Sequence, residues 1–176
     1  MTKNYAHLFA LNEQDVVDDM IRVNHAGEYG AKRIYTGQLR VLKGDDVIYE
    51  MYESELDHLE YFENEMKLRQ VRPTVFMPIW NIYGFLLGFL SAACGRETAM
   101  LATEAIENVI EKHYGEQIEI LNEIESEDIL RARIEKFRLE EMEHASIGYK
   151  NGKKSIFIHV LIEFCTKIAI KISKTL

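Results

Sequence analysis

A short pattern that can bind metal, Glu-x-x-His, occurs twice in this sequence. The two copies lie at 55–58 and 141–144, and each follows a lone glutamate, Glu28 in the first half and Glu107 in the second. Residues three apart on an α-helix share one face, with about 5 to 6 Å between their Cβ atoms, so both residues of a copy can bind one ion. The repeat therefore predicts a site for two metal ions. The predicted ligands are Glu28, Glu55, His58, Glu107, Glu141 and His144.

Four long helices are predicted to position these residues. Apolar residues recur with helical periodicity, and the predicted helices run over about 15–42, about 46–69, a segment ending near 121, and about 127–149. On each helix the candidate ligands interrupt an apolar stripe, as Glu55 does between Met51 and Leu59. A glutamate on an acidic helix is ordinarily a solvated surface residue, but four carboxylates directed into one core need a neutralising charge. Two divalent cations would supply it.

The types of ligand restrict the choice of metal and the class of fold. Carboxylates and imidazoles without thiolates suit iron or manganese better than structural zinc. One glutamate from each of two helices and Glu-x-x-His from each of the other two is the ligand set of ferritin-like bundles. We therefore predict an all-α, ferritin-like four-helix bundle that occupies residues 1–176 as a single domain.

Composition and charge argue against several other classes of protein. The chain has 176 residues, of which 47% are hydrophobic and 28% charged, as expected for a globular domain. A formal net charge of −8 argues against nucleic acid as a partner. The two cysteines, Cys94 and Cys165, form no disulfide framework, which favours a reducing compartment. Residues 1–11 carry no recognisable targeting signal.

An uncharged segment, 73–95, separates the two halves of the repeat. It is long enough to span a bilayer, but Pro78, Asn81, Gly84 and Gly88 interrupt it. A single span at this point would also separate the two halves of the metal site. We predict instead a long apolar crossover whose surface lies at a membrane interface, the alternative being an ordinary buried crossover.

The C-terminal segment is predicted to be an additional amphipathic helix. Its apolar face comprises Ile156, Phe157, Val160, Leu161, Phe164, Ile168 and Ile172. Nearby lysines are Lys150, Lys153, Lys154, Lys167, Lys171 and Lys174. A basic amphipathic helix binds anionic lipid surfaces. The alternative is a core-packing helix with a solvated lysine face, and the two descriptions are compatible.

Several longer motifs resemble those of the demethoxyubiquinone hydroxylases. They are IRVNHAGEYGA at 21–31, ELDH at 55–58, RPTV at 72–75, MPIWN at 77–81, His113-Tyr114 after Glu107, and Phe137-Arg138 leading into EEMEH at 140–144. The resemblance extends from about Asp18 to the C-terminus. It assigns the metal-binding role to the six residues that the spacing selects, and it places His113 and Tyr114 near the substrate. By analogy with other di-iron bundles, Glu55 and Glu141 would bridge the metals and Glu28 and Glu107 would be terminal ligands.

The resemblance implies a di-iron mono-oxygenase that hydroxylates the ring of demethoxyubiquinol with O2 in ubiquinone biosynthesis. Two iron ions would be the cofactor, and NADH is a candidate reductant. Expected partners are the prenylated quinol, a membrane surface and a lipid-binding protein of the same pathway. The expected location is the cytoplasmic face of a cell membrane, as a peripheral protein of bacterial type. The alternatives are a ferritin-like iron oxidase or storage protein, and a membrane-associated scaffold with a structural metal site.

Overall fold

The computed structural model describes residues 13–174, and this part of the chain is all-helical, without strands. The helices are α1 (Glu13–Val41), α2 (Asp46–Arg69), α3 (Met77–Ala93), α4 (Arg96–Leu121), α5 (Asp128–Asn151) and α6 (Ile156–Ser173). A 3₁₀ turn, Glu125–Glu127, joins α4 to α5. The segment 1–11, in which no targeting signal is expected, lies outside the described residues.

Helices α1, α2, α4 and α5 form the bundle that was predicted. Short connections make α1 and α2, and likewise α4 and α5, antiparallel neighbours. Local signals fix the bounds of α2: the Asp45 side chain accepts a hydrogen bond from the Ile48 amide at its start. At its end, Gln70 adopts a left-handed conformation with φ 58°. The predicted range 46–69 is therefore the observed one.

Two apolar clusters enclose the middle of the bundle. The larger cluster includes Ile21, Phe62, Tyr114, Leu121, Ile134 and Phe137. The smaller one consists of Ala31, Tyr35, Ile48, Met51 and Met100. On α1, α2 and α4 the candidate ligands lie in sequence between members of the two clusters. Hydrophobic packing on both sides thus fixes the height of the ligands within the bundle.

The predicted crossover proves to contain a helix, α3, which packs on α1 and α4. Pro78 lies in its first turn, where a missing amide hydrogen costs nothing. Gly84 and Gly88 lie inside this helix and do not interrupt it. Because they lack side chains, α1 and α3 can approach each other closely. A Cβ added at Gly88 would lie only 1.9 Å from the carbonyl oxygen of Ile34.

Helix α6 packs on α4 and α1 and turns its predicted apolar face outward. Ile162 is buried on the packed side, at 8% exposure. The outward residues are instead 43 to 84% exposed: Ile156, Phe157, Val160, Leu161, Phe164 and Ile168. This face therefore does not pack into the core. Within residues 13–174, no helix has the length and apolar character needed to cross a membrane.

Candidate metal centre and its cavity

The structure brings the six predicted ligand side chains together in the middle of the bundle, where none is more than 6% exposed. They form two groups, within each of which one ligand atom from every residue lies within 4.8 Å of the others. One group is Glu28, Glu55, His58 and Glu141, and the other is Glu55, Glu107, Glu141 and His144. Because Glu55 and Glu141 belong to both groups, their carboxylates are placed to bridge two ions.

The separations between individual ligand atoms fit a shared ion. Two atoms bonded to one ion at about 2.0 to 2.2 Å lie no more than about 4.4 Å apart. The Nδ1 atom of His58 is 3.1 Å from Oε1 of Glu141 and 3.6 Å from Oε2 of Glu28. The Nδ1 atom of His144 is 3.1 Å from Oε1 of Glu55. Both imidazoles therefore direct the same ring nitrogen at the carboxylates.

Four of these buried atoms have no hydrogen-bond partner despite the short distances. They are both carboxylate oxygens of Glu55, Oε1 of Glu141 and Nδ1 of His58. Buried polar atoms are nearly always hydrogen-bonded, and a buried charge needs a partner. The convergence of these four unpartnered oxygen and nitrogen atoms fits a pair of divalent cations.

Without a cation, the electrostatics of this cluster reflect burial and mutual repulsion. Burial raises the pKa of Glu107 to about 8, and the charge of Glu141 contributes to the rise. Burial alone would lower the pKa of His58, but the Glu141 and Glu28 carboxylates outweigh it and raise the value to about 12. A protonated carboxyl group and a doubly protonated imidazolium ring cannot bind a metal ion. Cation binding must therefore release protons from this site.

Two buried tyrosines connect α1 and α4 crosswise at the centre. The hydroxyl of Tyr35 on α1 donates to Oε1 of Glu107 on α4 at 2.8 Å. The hydroxyl of Tyr114 on α4 donates to Oε1 of Glu28 on α1. Each tyrosine stands seven residues after the lone glutamate of its own helix. The sequence interpretation included Tyr114 but missed Tyr35, which the repeated seven-residue spacing could have identified.

Glu140 orients one of the two histidines. Its Oε2 lies 2.9 Å from Nε2 of His58, and its Oε1 lies 3.2 Å from Nζ of Lys136. A carboxylate that accepts a hydrogen bond from the Nε2–H group leaves Nδ1 of the same ring free to bind a metal. The sequence interpretation treated Glu140 only as part of a motif, because its partner lies on another helix.

A mostly apolar cavity leads to the carboxylates. It has a volume of about 70 Å³ and lies among α1, α3, α4 and α6. The charged residues of its lining are Glu28, Glu55, Glu107 and Glu141. Its apolar walls include Trp80, Tyr83 and Leu87 from α3, Ile106 and Ile110 from α4, and Ala169 and Ile170 from α6. An apolar molecule with one reactive polar end matches this arrangement.

The two residues predicted to lie near the substrate occupy different surroundings. Tyr114 is fully buried and bonded to Glu28, at the edge of the metal centre. His113 is half-buried, and its Nε2 lies 2.9 Å from the side-chain nitrogen of Gln117, which also pairs with Asn24. Burial, with a contribution from Lys174, lowers the pKa of His113 to about 4, so its ring is neutral at pH 7. Neither residue is among those that line the cavity.

A helical bundle with a buried cluster of four carboxylates and two imidazoles defines the class of ferritin-like proteins. Comparison with known proteins identifies the family. The sequence model described as "Ubiquinone biosynthesis protein COQ7" matches residues 15–173. The chain therefore belongs to the COQ7 family of ubiquinone biosynthesis proteins, as the sequence motifs predicted.

Individual relatives carry hydroxylase names. A Bos taurus protein named "NADPH-dependent 3-demethoxyubiquinone 3-hydroxylase, mitochondrial" is 44% identical over 172 residues, which cover 93% of this chain and 79% of the relative. A Rhodospirillum rubrum protein named "3-demethoxyubiquinol 3-hydroxylase" is 42% identical over 143 residues, 79% of this chain and 66% of the relative. A Saccharomyces cerevisiae protein named "5-demethoxyubiquinone hydroxylase, mitochondrial" is 35% identical over 153 residues, 77% of this chain and 66% of the relative.

Proposed function

We propose that this protein is a di-iron mono-oxygenase that hydroxylates the ring of demethoxyubiquinol in ubiquinone biosynthesis. The observation that carries the proposal is an apolar cavity lined by four buried carboxylates, which cluster with two imidazoles behind them. The family and the names of its relatives supply the substrate class. In the reaction, a ring C–H bond becomes C–OH with one oxygen atom of O2. The other oxygen atom leaves as water, and a reductant supplies two electrons.

Six residues would hold the cofactor. His58 with Glu28 would bind one iron ion, His144 with Glu107 would bind the other, and Glu55 and Glu141 would contact both, as the two ligand groups suggest. A pair of ferrous ions supplies the electrons and coordination positions that O2 activation needs.

Other residues of the chain would hold those ligands and shield the reaction. Tyr35 and Tyr114 fix the two terminal glutamates by hydrogen bonds, and Glu140 fixes the ring of His58. The apolar walls around the carboxylates exclude water from the reacting ring. The apolar side chains that α3 and α6 contribute to the cavity suit a quinol whose isoprenoid tail runs along these two helices.

The reductant that we propose is a reduced nicotinamide nucleotide. NADH was the candidate from the sequence, and the printed name of the Bos taurus relative specifies NADPH. Both nucleotides therefore belong in the assay. A lipid-binding protein of the same pathway remains a proposed partner.

The proposed location is the surface of a membrane, on its cytoplasmic side. The outer faces of α3 and α6 flank the cavity, and each exposes large apolar side chains. On α3 these include Ile79, Ile82, Leu86 and Leu90, which are 48 to 61% exposed. A prenylated quinol could pass from the bilayer into a cavity that opens between two such faces.

The direct test is turnover of the iron-loaded protein. Anaerobically purified protein loaded with Fe(II) and supplied with demethoxyubiquinol, O2 and NADPH or NADH should yield a product heavier by one oxygen atom in mass spectrometry. Glu141→Ala should abolish product and reduce iron stoichiometry, because this carboxylate belongs to both ligand groups. The control Glu143→Ala, at an exposed position two residues away, should behave like wild type.

The alternatives predict different results in the same assay. A ferritin-like oxidase or store would consume Fe(II) and form mineral without hydroxylated quinol. A scaffold with a structural metal site would bind the metal and form neither product. Either result would exclude the mono-oxygenase proposal.

A further inference from the structure

Two glycines in the middle of α1, Gly27 and Gly30, have no explanation in helix packing. Glycine makes a helix interior less stable than alanine does, so its presence there calls for a local reason. Gly37 on the same helix has one, because a Cβ at that position would lie 2.4 Å from the carbonyl oxygen of Phe85 on α3. A Cβ at Gly27 or Gly30 would meet no atom within 4 Å.

The space beside both glycines belongs to the cavity. Gly27 and Gly30 line it together with Glu28, which lies between them in sequence. A second observation marks this cavity as a ligand site: both carboxylate oxygens of Glu55 are buried, unpartnered and part of the cavity lining. Gly27 and Gly30 thus line the same cavity as these oxygens, with open space beside each glycine.

We infer that Gly27 and Gly30 are specificity-determining residues that keep the α1 wall bare so that the substrate ring can reach the carboxylates. The inference rests on the proposed function and deepens it, because it names the side of the cavity against which the quinol ring lies. Gly27, directly before Glu28, is the more sensitive position. An added methyl group at either residue would fit the fold but occupy the volume of the substrate.

The inference predicts that stability and substrate binding change in opposite directions. Gly27→Ala and Gly30→Ala should raise the melting temperature by about 2 to 4 °C, because alanine favours the helix and meets no obstacle. The same variants should raise the KM for demethoxyubiquinol about 10-fold or more, since one methyl group in a filled apolar pocket has an effect of that size. Gly27→Leu should abolish binding. Iron stoichiometry should stay at the wild-type value.

A second measurement follows binding without turnover. Trp80, the only tryptophan of the chain, lines the same cavity, and quinones quench indole fluorescence. Quenching of Trp80 by a short-tailed ubiquinone should require a higher concentration in both alanine variants. The control is Gly115→Ala on α4, where the added Cβ would face the flexible end of Arg138 at 3.3 Å, outside the cavity. Its quenching curve and KM should match wild type.

Each other outcome overturns the inference. A lowered melting temperature in Gly27→Ala would mean that the fold requires the glycine, and lost iron would mean that the metal ligands require it. Unchanged KM and quenching would mean that the substrate does not use this wall. If the wild type binds quinone but forms no product, the proposed function fails, while the quenching comparison still decides the role of the glycines.

Discussion

At the level of single residues, the two histidines of the candidate metal centre are held differently. His58 directs Nδ1 at the carboxylates and contacts Glu140 through Nε2. The hydrogen bond and ion pairs of His144 within residues 13–174 all use Nδ1. The two tyrosines, by contrast, make equivalent contacts: Tyr35 donates a hydrogen bond to Glu107, and Tyr114 donates one to Glu28. In the proposed two-iron centre, binding at His58 should therefore depend on Glu140 more strongly than binding at His144.

Replacing Glu140 should weaken one of the two metal sites. Glu140→Ala leaves the ring of His58 without the acceptor that holds its orientation, and such losses typically lower metal affinity 10- to 100-fold. An anaerobic Fe(II) titration should then resolve one weakened site and one near-normal site. The neighbouring exposed Glu143→Ala is the control. Equal affinity at both sites in Glu140→Ala would contradict the proposed orienting role.

At the level of helices, α3 depends on close contact with α1. Gly37, Gly84 and Gly88 allow backbone atoms of the two helices to touch, with no room for a Cβ at any of the three positions. This contact also sets the distance between α1 and α3 across the cavity, because both helices line it. Gly84 and Gly88, which the sequence interpretation treated as interruptions, therefore hold α3 against α1, and Gly84 also lines the cavity.

Gly88→Ala should destabilise the protein strongly. The added Cβ would fall 1.9 Å from the carbonyl oxygen of Ile34, a backbone atom that cannot turn away. Forcing the two helices apart should cost about 1 to 3 kcal/mol of unfolding free energy. Urea denaturation followed by circular dichroism would measure it. Gly115→Ala, whose Cβ meets only the flexible end of Arg138, is the matched control, and an equal loss in both variants would contradict this account.

The helices illustrate which parts of the structure local sequence can predict. Bundle helices such as 46–69 were predictable because apolar periodicity and end signals lie within the segment itself. The inward position of Glu55 followed from the same stripe. The helicity of 77–93 was not recognised, since Gly84 and Gly88 make sense only beside α1. The contacts of Tyr35 and Glu140 likewise depend on other helices and could not be seen in one segment.

At the level of the whole molecule, the metal centre, the cavity and the apolar faces form one continuous arrangement. The carboxylates lie in the bundle and line the cavity, α3 and α6 contribute to its apolar walls, and both helices expose apolar side chains outward. Lys167, Lys171 and Lys174 are exposed along α6. Basic groups beside an apolar face favour an anionic membrane surface. The extent of the single domain over residues 1–176 remains a prediction.

Membrane binding should therefore depend on the outer faces of α3 and α6 and not on exposed apolar residues elsewhere. Phe164 is 61% exposed on the outer face of α6, and Ile129 is 84% exposed on α5. Phe164→Glu removes an inserting side chain and adds a charge that anionic lipid repels, at about 1 kcal/mol per charge or about fivefold in affinity. Ile129→Glu adds the same charge away from α3 and α6. In sedimentation with vesicles that contain anionic lipid, Phe164→Glu should lose at least about fivefold in binding, while Ile129→Glu should bind like wild type.

Both substitutions lie on exposed surfaces, so circular dichroism should report unchanged helicity. Equal losses in the two variants would mean that net charge alone governs binding, and the cavity mouth between α3 and α6 would then have no special relation to the membrane.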